Sequence, residues 1–174
     1  AGAGAVTSVQ PSSGTVGGGS IVTMTGSGFV AGVTACKFGS GASALATVMS
    51  TTEARCVTPA GVPGATSLAV ALGLAADASL VSSMAETFEY APEIMVRAVT
   101  PLVATVEGGS SLIIDVAGLP DGRPAWCKFA NQVVVSASVS SGFKTSPLVK
   151  CVSAAGTLGN FSVDVSTNGQ DFTR

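Results

Sequence analysis

The sequence predicts an all-β chain folded as two tandem β-sandwich domains. Short apolar runs with a period of two recur between turns rich in glycine and proline, and no run shows a convincing helical period. One pattern built around two cysteines also occurs twice along the chain. In a chain of 174 residues, such a repeat indicates two similar small domains rather than one large one.

The repeated pattern is Cys-Lys-Phe, which occurs as Cys36-Lys37-Phe38 and again as Cys127-Lys128-Phe129. In a β-strand, residues two apart point to one face, so the cysteine and phenylalanine face the core and the lysine faces water. A later strand brings a second cysteine to the buried face at similar spacing, Cys56 in the first copy and Cys151 in the second. The pattern therefore indicates one disulfide in each domain.

Four cysteines allow three pairings. We predict Cys36–Cys56 and Cys127–Cys151, because each of these pairs lies inside one copy of the repeat. Four buried free thiols in a cytosolic protein are the alternative. A zinc site is disfavoured because the chain has no His and no Cys-x-x-Cys.

The predicted boundary lies at Ala91-Pro92, which divides the chain into residues 1–91 and 92–174. The first domain is expected to contain seven short strands, at 6–9, 21–26, 33–38, 44–49, around Cys56, at 68–72 and at 88–90. We predict turns at Ser12-Ser13-Gly14 and at Gly17-Gly18-Gly19-Ser20. The second domain repeats the order but has no counterpart of Phe88-Glu89-Tyr90, so it is expected to lack its last strand. An open sheet edge and an uncovered apolar groove should result, which the chain's own continuation or a strand from a neighbouring molecule would fill.

Charge is sparse, with 8 basic and 10 acidic residues, while the mean hydropathy is +0.56. No continuous apolar run is long enough for a membrane-spanning helix, so direct membrane insertion is not expected. A surface with so few charges needs another source of solubility, either glycans or burial against neighbouring molecules. Without an initiator Met or a signal-peptide pattern, the sequence is expected to be a segment of a longer protein.

One series of turn and strand motifs occurs twice along the chain. The first copy carries Pro11, Gly14, Gly18, Gly19, Gly26, Gly28, Phe29, Cys36, Phe38, Gly39, Cys56 and Pro59. The second carries Pro101, Gly108, Gly109, Gly118, Cys127, Phe129, Cys151 and Asn168-Gly169-Gln170-Asp171-Phe172. The order of these motifs resembles the IPT/TIG family of immunoglobulin-like repeats, and the second copy departs from it at Ala130 and Ala154, where the family has Gly and Pro.

The resemblance implies two immunoglobulin-like sandwiches, and its subtypes imply different functions. Repeats with paired cysteines resemble those of cell-surface and secreted proteins, where arrays act as spacers, adhesion surfaces or receptor stalks. Repeats of Rel-like transcription factors contact DNA, and others link the domains of secreted starch-acting enzymes. The paired cysteines favour the first subtype.

The residues offer no convincing catalytic set, so no enzyme activity and no cofactor are expected. No His is present to activate a serine, and the carboxylates are scattered along the sequence. A calcium site at the domain boundary, using Glu93 or Asp121, is disfavoured against chance surface carboxylates. Nucleic-acid binding is not expected either, because eight basic residues in a net negative chain do not make a basic face.

Asn160-Phe161-Ser162 fits the acceptor pattern for N-linked glycosylation, and Asn160 is the predicted site. Serines and threonines beside Pro11 are candidates for O-linked sugars. Trp126 is the one candidate platform for sugar binding, and the alternative is that its ring covers the domain boundary.

Together these features predict a non-enzymatic extracellular or cell-surface module with a structural or adhesive role. The expected partners are flanking repeats or neighbouring copies, which pack into a surface filament or matrix polymer. An accessory spacer or sugar-binding module of a secreted glycoside hydrolase and a receptor ectodomain stalk are the alternatives.

Overall fold

The computed structural model describes residues 4–41, 43–72, 85–120, 122–130, 133–141 and 147–173. These residues form β-strands joined by turns and loops, with no helix among them, so the predicted all-β class is confirmed. By internal contacts the chain divides into two compact units, Ala1–Ala91 and Pro92–Arg174, called unit 1 and unit 2 below.

Unit 1 contains nine strands in the part of the chain that is described. They are β1 (Ala5–Gln10), β2 (Ser13–Thr15), β3 (Ile21–Ser27), β4 (Thr34–Phe38), β5 (Ser43–Leu45), β6 (Thr47–Ser50), β7 (Glu53–Val57), β8 (Gly64–Leu72) and β9 (Glu86–Ala91). One sheet has the order β1-β3-β7-β6 and the other has the order β2-β9-β8-β4-β5. Along β3, for example, Val22 and Met24 face the shared core, while Ile21 at the start of the strand is exposed.

Unit 2 contains six described strands, β10 (Met95–Thr100), β11 (Ser111–Ala117), β12 (Ala125–Phe129), β13 (Val134–Ser141), β14 (Pro147–Val152) and β15 (Val163–Ser166). Their hydrogen-bonded order is β10-β11-β14-β13-β12-β15. The buried residues again alternate along the strands, with Leu112, Ile114 and Val116 of β11 in the core. Within the described residues, β15 ends this order.

The middle strand of each unit crosses from one layer of the sandwich to the other. In unit 2, residues 134–137 of β13 pair with β12, and residues 138–141 pair with β14. In unit 1 the same crossing divides the predicted strand 44–49 into β5, which pairs with β4, and β6, which pairs with β7. The division falls at Ala46, whose buried amide donates to the Thr34 carbonyl at 2.9 Å.

The predicted turn at Ser12-Ser13-Gly14 was wrong, because Ser13–Thr15 is strand β2, which pairs in parallel with β9. The Glu89 amide donates to the Ser12 carbonyl at 2.9 Å, and the Val16 amide donates to the Ala91 carbonyl at 3.1 Å. Strand β2 consists of polar and small residues, and its pairing is decided by a partner far along the chain. Serine and glycine are turn formers by local preference, and here the tertiary pairing overrides that preference.

Strand β9 closes unit 1 with two aromatic side chains, Phe88 and Tyr90, which pack with Phe38 of β4. The ring centroids of Phe38 and Phe88 lie 5.4 Å apart, and those of Phe88 and Tyr90 lie 5.2 Å apart, both edge to face. The Tyr90 hydroxyl donates to the Pro59 carbonyl at 2.9 Å. Burial raises the pKa of the Tyr90 phenol above its ordinary value.

Replacing Tyr90 with Phe should change how stability depends on alkaline pH. Because the pKa is raised in the folded protein, the neutral phenol contributes stability below pH about 10, which is lost as pH rises through the folded pKa. Tyr90→Phe should lose about 1 kcal/mol at neutral pH, where the hydrogen bond to Pro59 is missing, and its unfolding free energy should fall less steeply above pH about 10. Urea unfolding followed by circular dichroism at several pH values measures the loss of stability at neutral pH and the slope at alkaline pH. If the two proteins have parallel pH profiles, the raised pKa of Tyr90 is contradicted.

Candidate functional site

Each unit has a cross-link between strands of its two layers. Cys36 on β4 is bonded to Cys56 on β7, and Cys127 on β12 is bonded to Cys151 on β14, with a Cα–Cα distance of 6.4 Å in both cases. All four cysteines are buried, and the chain has no free cysteine. The Cys-x-Phe pattern puts the Cys and a buried Phe side by side in each core, as the alternation of a strand requires.

Unit 2 has an open groove of about 280 Å³, lined by apolar and polar residues that include Phe129 and Ser153, each two residues after a cysteine of the Cys127–Cys151 cross-link. Its lining residues come from the segment before β11, from the end of β12 and from the loop between β14 and β15. They are Val103, Ala104, Thr105, Val106, Phe129, Ala130, Ser153, Ala154, Ala155, Gly156, Thr157, Leu158, Gly159, Asn160 and Phe161. An uncovered groove is what the sequence analysis expects here, but the residues that line it were not predicted.

The backbone around the groove repeats the backbone of unit 1. The Gly61 amide donates to the Val16 carbonyl at 2.9 Å, and the Gly156 amide donates to the Val106 carbonyl at 2.8 Å. The Gly19 amide donates to the Thr58 carbonyl at 2.8 Å, and the Gly109 amide donates to the Ser153 carbonyl at 2.9 Å. These bonds place Ala154 where unit 1 has Pro59, and Gly156 where it has Gly61.

The predicted glycan acceptor Asn160 lies on the rim of this groove, in the loop before β15, and its side chain is exposed. The ring of its neighbour Phe161 lies 6.2 Å from the ring of Phe129, measured between centroids. Of the candidate O-glycan sites near Pro11, Thr7 and Ser8 are exposed, whereas Ser13 is buried in β2.

Trp126 lies on the outer side of β12, opposite to Cys127, and is half-buried. The turn after β15 covers part of its ring, since a methyl group on Gly169 would lie 3.5 Å from the indole. The neighbouring Lys128 lies over the Phe172 ring at 4.6 Å from its centroid, with its ammonium 3.7 Å from the Asp164 carboxylate. The end of the described chain therefore packs on this face of unit 2.

Other charged groups do not gather into a site in the described residues. Arg55 lies 3.6 Å from Glu53, and no group of three or more potential ligands could hold a metal ion within the described ranges. Glu93 is exposed, and Asp121 lies outside the described residues, as do Lys144 and Arg174. No helix of the described chain is long and apolar enough to cross a membrane.

The fold and the cross-links define each unit as a disulfide-bonded β-sandwich of the immunoglobulin-like class. The family model for the IPT/TIG domain matches residues 5–90, so unit 1 is an IPT/TIG domain, and the predicted family is confirmed for that unit. A search of curated proteins found no match.

Solved structures similar to the chain include the extracellular region of plexin A4. One structure, with domains 1 to 8, matches at TM-score 0.56 and covers 98% of this chain and 17% of that chain. A second, with domains 1 to 10, matches at TM-score 0.60 and covers 98% of this chain and 15% of that one. Both are 14% identical in sequence, which shows the fold alone.

A third structure is SGBP-B from a complex xyloglucan utilization locus in Bacteroides uniformis. It is 16% identical and covers 97% of this chain and 47% of that chain. Its TM-score of 0.34 is too low to carry an argument.

Removing one cross-link should destabilise one unit and leave the other unchanged. For loops of this length the chain-entropy account gives about 3 kcal/mol per disulfide. The double variant Cys127→Ala/Cys151→Ala should therefore lower the unfolding free energy of unit 2 by about 3 kcal/mol, which fluorescence of Trp126 in that unit reports during urea unfolding.

The matched control is Cys36→Ala/Cys56→Ala, which should leave the Trp126 transition in place. The single tyrosine of the chain, Tyr90, reports unit 1 by its absorbance. If removal of the Cys127–Cys151 bond leaves the Trp126 transition unmoved, the cross-link does not stabilise unit 2.

Proposed function

We propose that the chain is a non-enzymatic structural or adhesive segment of a longer extracellular repeat array. The observation that carries the proposal is the disulfide between the two layers of each unit, with all four cysteines buried and paired. Structural disulfides persist in oxidising compartments such as the cell exterior. Small sandwiches with one cross-link each suit a spacer exposed to such an environment, because a core of this size is only marginally stable alone.

The chemistry of the side chains supports a module that acts through its surface. The chain has no His, and its described carboxylates do not form a metal-binding cluster. Only 10% of its residues are charged, so little charge has to be desolvated when units pack against neighbours. A receptor stalk would have the same low charge and the same lack of a metal-binding cluster, so it is the nearest alternative function.

A role in sugar binding has less support than a spacer role. Sugar-binding surfaces use exposed aromatic platforms, and the one Trp of the chain is half-buried against the turn at Gly169. An accessory module of a secreted glycoside hydrolase would then contribute spacing rather than recognition.

The compartment is tested by the redox state of the protein isolated from its natural source. We expect peptide mass mapping without reduction to recover the Cys36–Cys56 and Cys127–Cys151 peptides as linked pairs. Alkylation before digestion would label all four cysteines if the thiols were free, and that result would overturn the extracellular assignment.

A second candidate role is packing of neighbouring copies into a filament or matrix polymer. It is supported by large apolar side chains exposed on unit 2, including Leu102, Val103 and Leu158, and by the low charge. Sedimentation and electron microscopy of the 174-residue segment test it. The proposal expects concentration-dependent assembly, and a monomer at every concentration would contradict it.

Glycosylation at Asn160 is predicted if the segment passes through a secretory pathway that adds N-linked glycans. The exposed loop position leaves room for a glycan to project into solvent. Expression in such a host should give a mass that falls on enzymatic removal of N-glycans. Ser162→Ala is the matched control, since it destroys the acceptor pattern and keeps Asn160; an unmodified wild-type protein would contradict the prediction.

A further inference from the structure

We propose that Asn168 is a site of spontaneous deamidation and that the Ser166 hydroxyl holds this reaction off in the folded protein. The chain has three asparagines, Asn131, Asn160 and Asn168, and glycine follows only the last of them. Asparagine is a thermolabile residue, and a following glycine has no side chain to keep its peptide nitrogen away from the carboxamide. The proposal goes beyond the role as an array segment and does not depend on the compartment in which the array works.

Deamidation needs only water and the two residues of the Asn168-Gly169 pair. The Gly169 peptide nitrogen loses its proton to solvent and attacks Asn168 Cγ, so a nitrogen–carbon bond forms and closes a cyclic imide. The Cγ–Nδ2 bond breaks, and the nitrogen leaves as ammonia after it takes up a proton. Water then opens the imide at either carbonyl carbon and gives aspartate or isoaspartate, with no oxidation or reduction.

The Ser166 hydroxyl holds the nucleophile of this reaction in place. Its oxygen accepts from the Gly169 amide at 2.9 Å and from the Asn168 amide at 3.2 Å. The same hydroxyl donates to Asn168 Oδ1 at 3.0 Å, and the Ser166 side chain is fully buried. Ser166 therefore binds both the attacking N–H group and the carboxamide under attack, and neither can turn toward the other while these bonds persist.

The carboxamide of Asn168 is also held by the residues that follow it. Its Oδ1 atom accepts from the amides of Gln170 and Asp171 at 3.0 and 2.8 Å, and its Nδ2 atom donates to Asp171 Oδ2 at 2.8 Å. Hydrogen bonds to a carbonyl oxygen lie near the plane of the group, whereas attack on Cγ comes from above that plane. The carboxamide must rotate to present its face to Gly169, which breaks these bonds, so the reaction proceeds through a locally open turn.

The turn that carries Asn168 lies over Trp126. It is closed at Thr173, whose amide donates to the Val165 carbonyl at 2.9 Å and whose hydroxyl oxygen accepts from the Val165 amide at 3.0 Å. A methyl group on Gly169 would lie 3.5 Å from the Trp126 ring, so the middle of the turn covers the indole. An open turn therefore exposes Trp126 to solvent.

Both products of deamidation disturb this turn. The aspartate product puts a second carboxylate where Asn168 Nδ2 now lies 2.8 Å from Asp171 Oδ2, and like charges at that distance repel. Isoaspartate lengthens the backbone of the turn by a methylene group, which displaces the amides of Gln170 and Asp171 from the side-chain oxygen that they bind. Deamidation is thus a one-way change that uncovers Trp126.

The rate of deamidation at Asn168 tests the role of Ser166. The parent protein and Ser166→Ala are incubated in mildly alkaline buffer, both folded and in guanidinium chloride, and the reduced tryptic peptide 151–174 is followed by mass spectrometry. We expect Asn168 of the folded parent to react about tenfold or more slowly than in the unfolded chain. Ser166→Ala should raise the folded rate about tenfold or more, because the bonds of the hydroxyl are lost, and leave the unfolded rate unchanged.

The chain itself supplies controls for this comparison. The same peptide contains Asn160, which precedes the bulky Phe161 and should stay unmodified in both proteins. Alanine suits the site of Ser166, since unit 1 has Ala71 at the equivalent place, directly after the strand partner of its first cysteine. Equal rates in the folded and unfolded parent would overturn the protection, and an unchanged folded rate in Ser166→Ala would overturn the role of the hydroxyl.

Asp171→Ala keeps the test decisive if the Trp126 fluorescence of Ser166→Ala shows that unit 2 has not folded. The Asp171 side chain is partly exposed, and its removal frees Asn168 Nδ2, so the folded rate should rise severalfold. A slower reaction would mean that the carboxylate assists the departure of ammonia, and an unchanged rate would mean that the turn does not restrain the carboxamide. Either result overturns the protective role of the turn.

Asn168→Asp tests the consequence of the modification, because it reproduces one product. Quenching of Trp126 fluorescence by acrylamide should increase, and the emission should shift to longer wavelength, as the turn lifts from the indole. The matched control is Asn160→Asp, which makes the same change of charge elsewhere in unit 2 and should leave both signals unchanged. If Asn168→Asp has the emission and quenching of the parent, deamidation does not uncover Trp126.

Discussion

The cross-link between the two layers is the interaction on which each unit depends. Cys36 and Cys127 lie in the centre of a strand, and each has a buried phenylalanine two residues later that continues the core. In a sandwich of this size the apolar core leaves a small net stability, so one disulfide supplies a large share of it. Because the disulfide supplies this stability, the loops and the outer faces of the two layers can have few charged residues.

The two units can be compared at the place that β9 occupies in unit 1. The backbone hydrogen bonds of the loops around Gly61 and Gly156 join equivalent residues in the two units. In unit 1 an aromatic pair fills the space between these loops, and in unit 2 the space is a groove of about 280 Å³. The loops beside this space therefore have the same backbone bonding in both units.

The structure supports a function that depends on the surfaces of the units rather than on single residues. The IPT/TIG domain of unit 1, the one disulfide in each unit and the few charges support the proposed role as a spacer or contact module, and the described side chains do not gather into a metal-binding cluster. The feature that distinguishes this segment is the unit 2 groove, whose rim also carries Asn160.

The sequence alone determined the all-β class and the family and predicted two units, because period-two patterns and a repeated cysteine motif are local signals along the chain. Tertiary structure alone decided three features. Strand β2 has three residues and pairs with β9 across the length of unit 1. The crossing at Ala46 depends on which layer each half of the segment meets. The residues that line the groove of unit 2 come from segments distant in sequence, such as those of Val103 and Leu158. Such non-local pairings and packing leave no periodic trace in the chain.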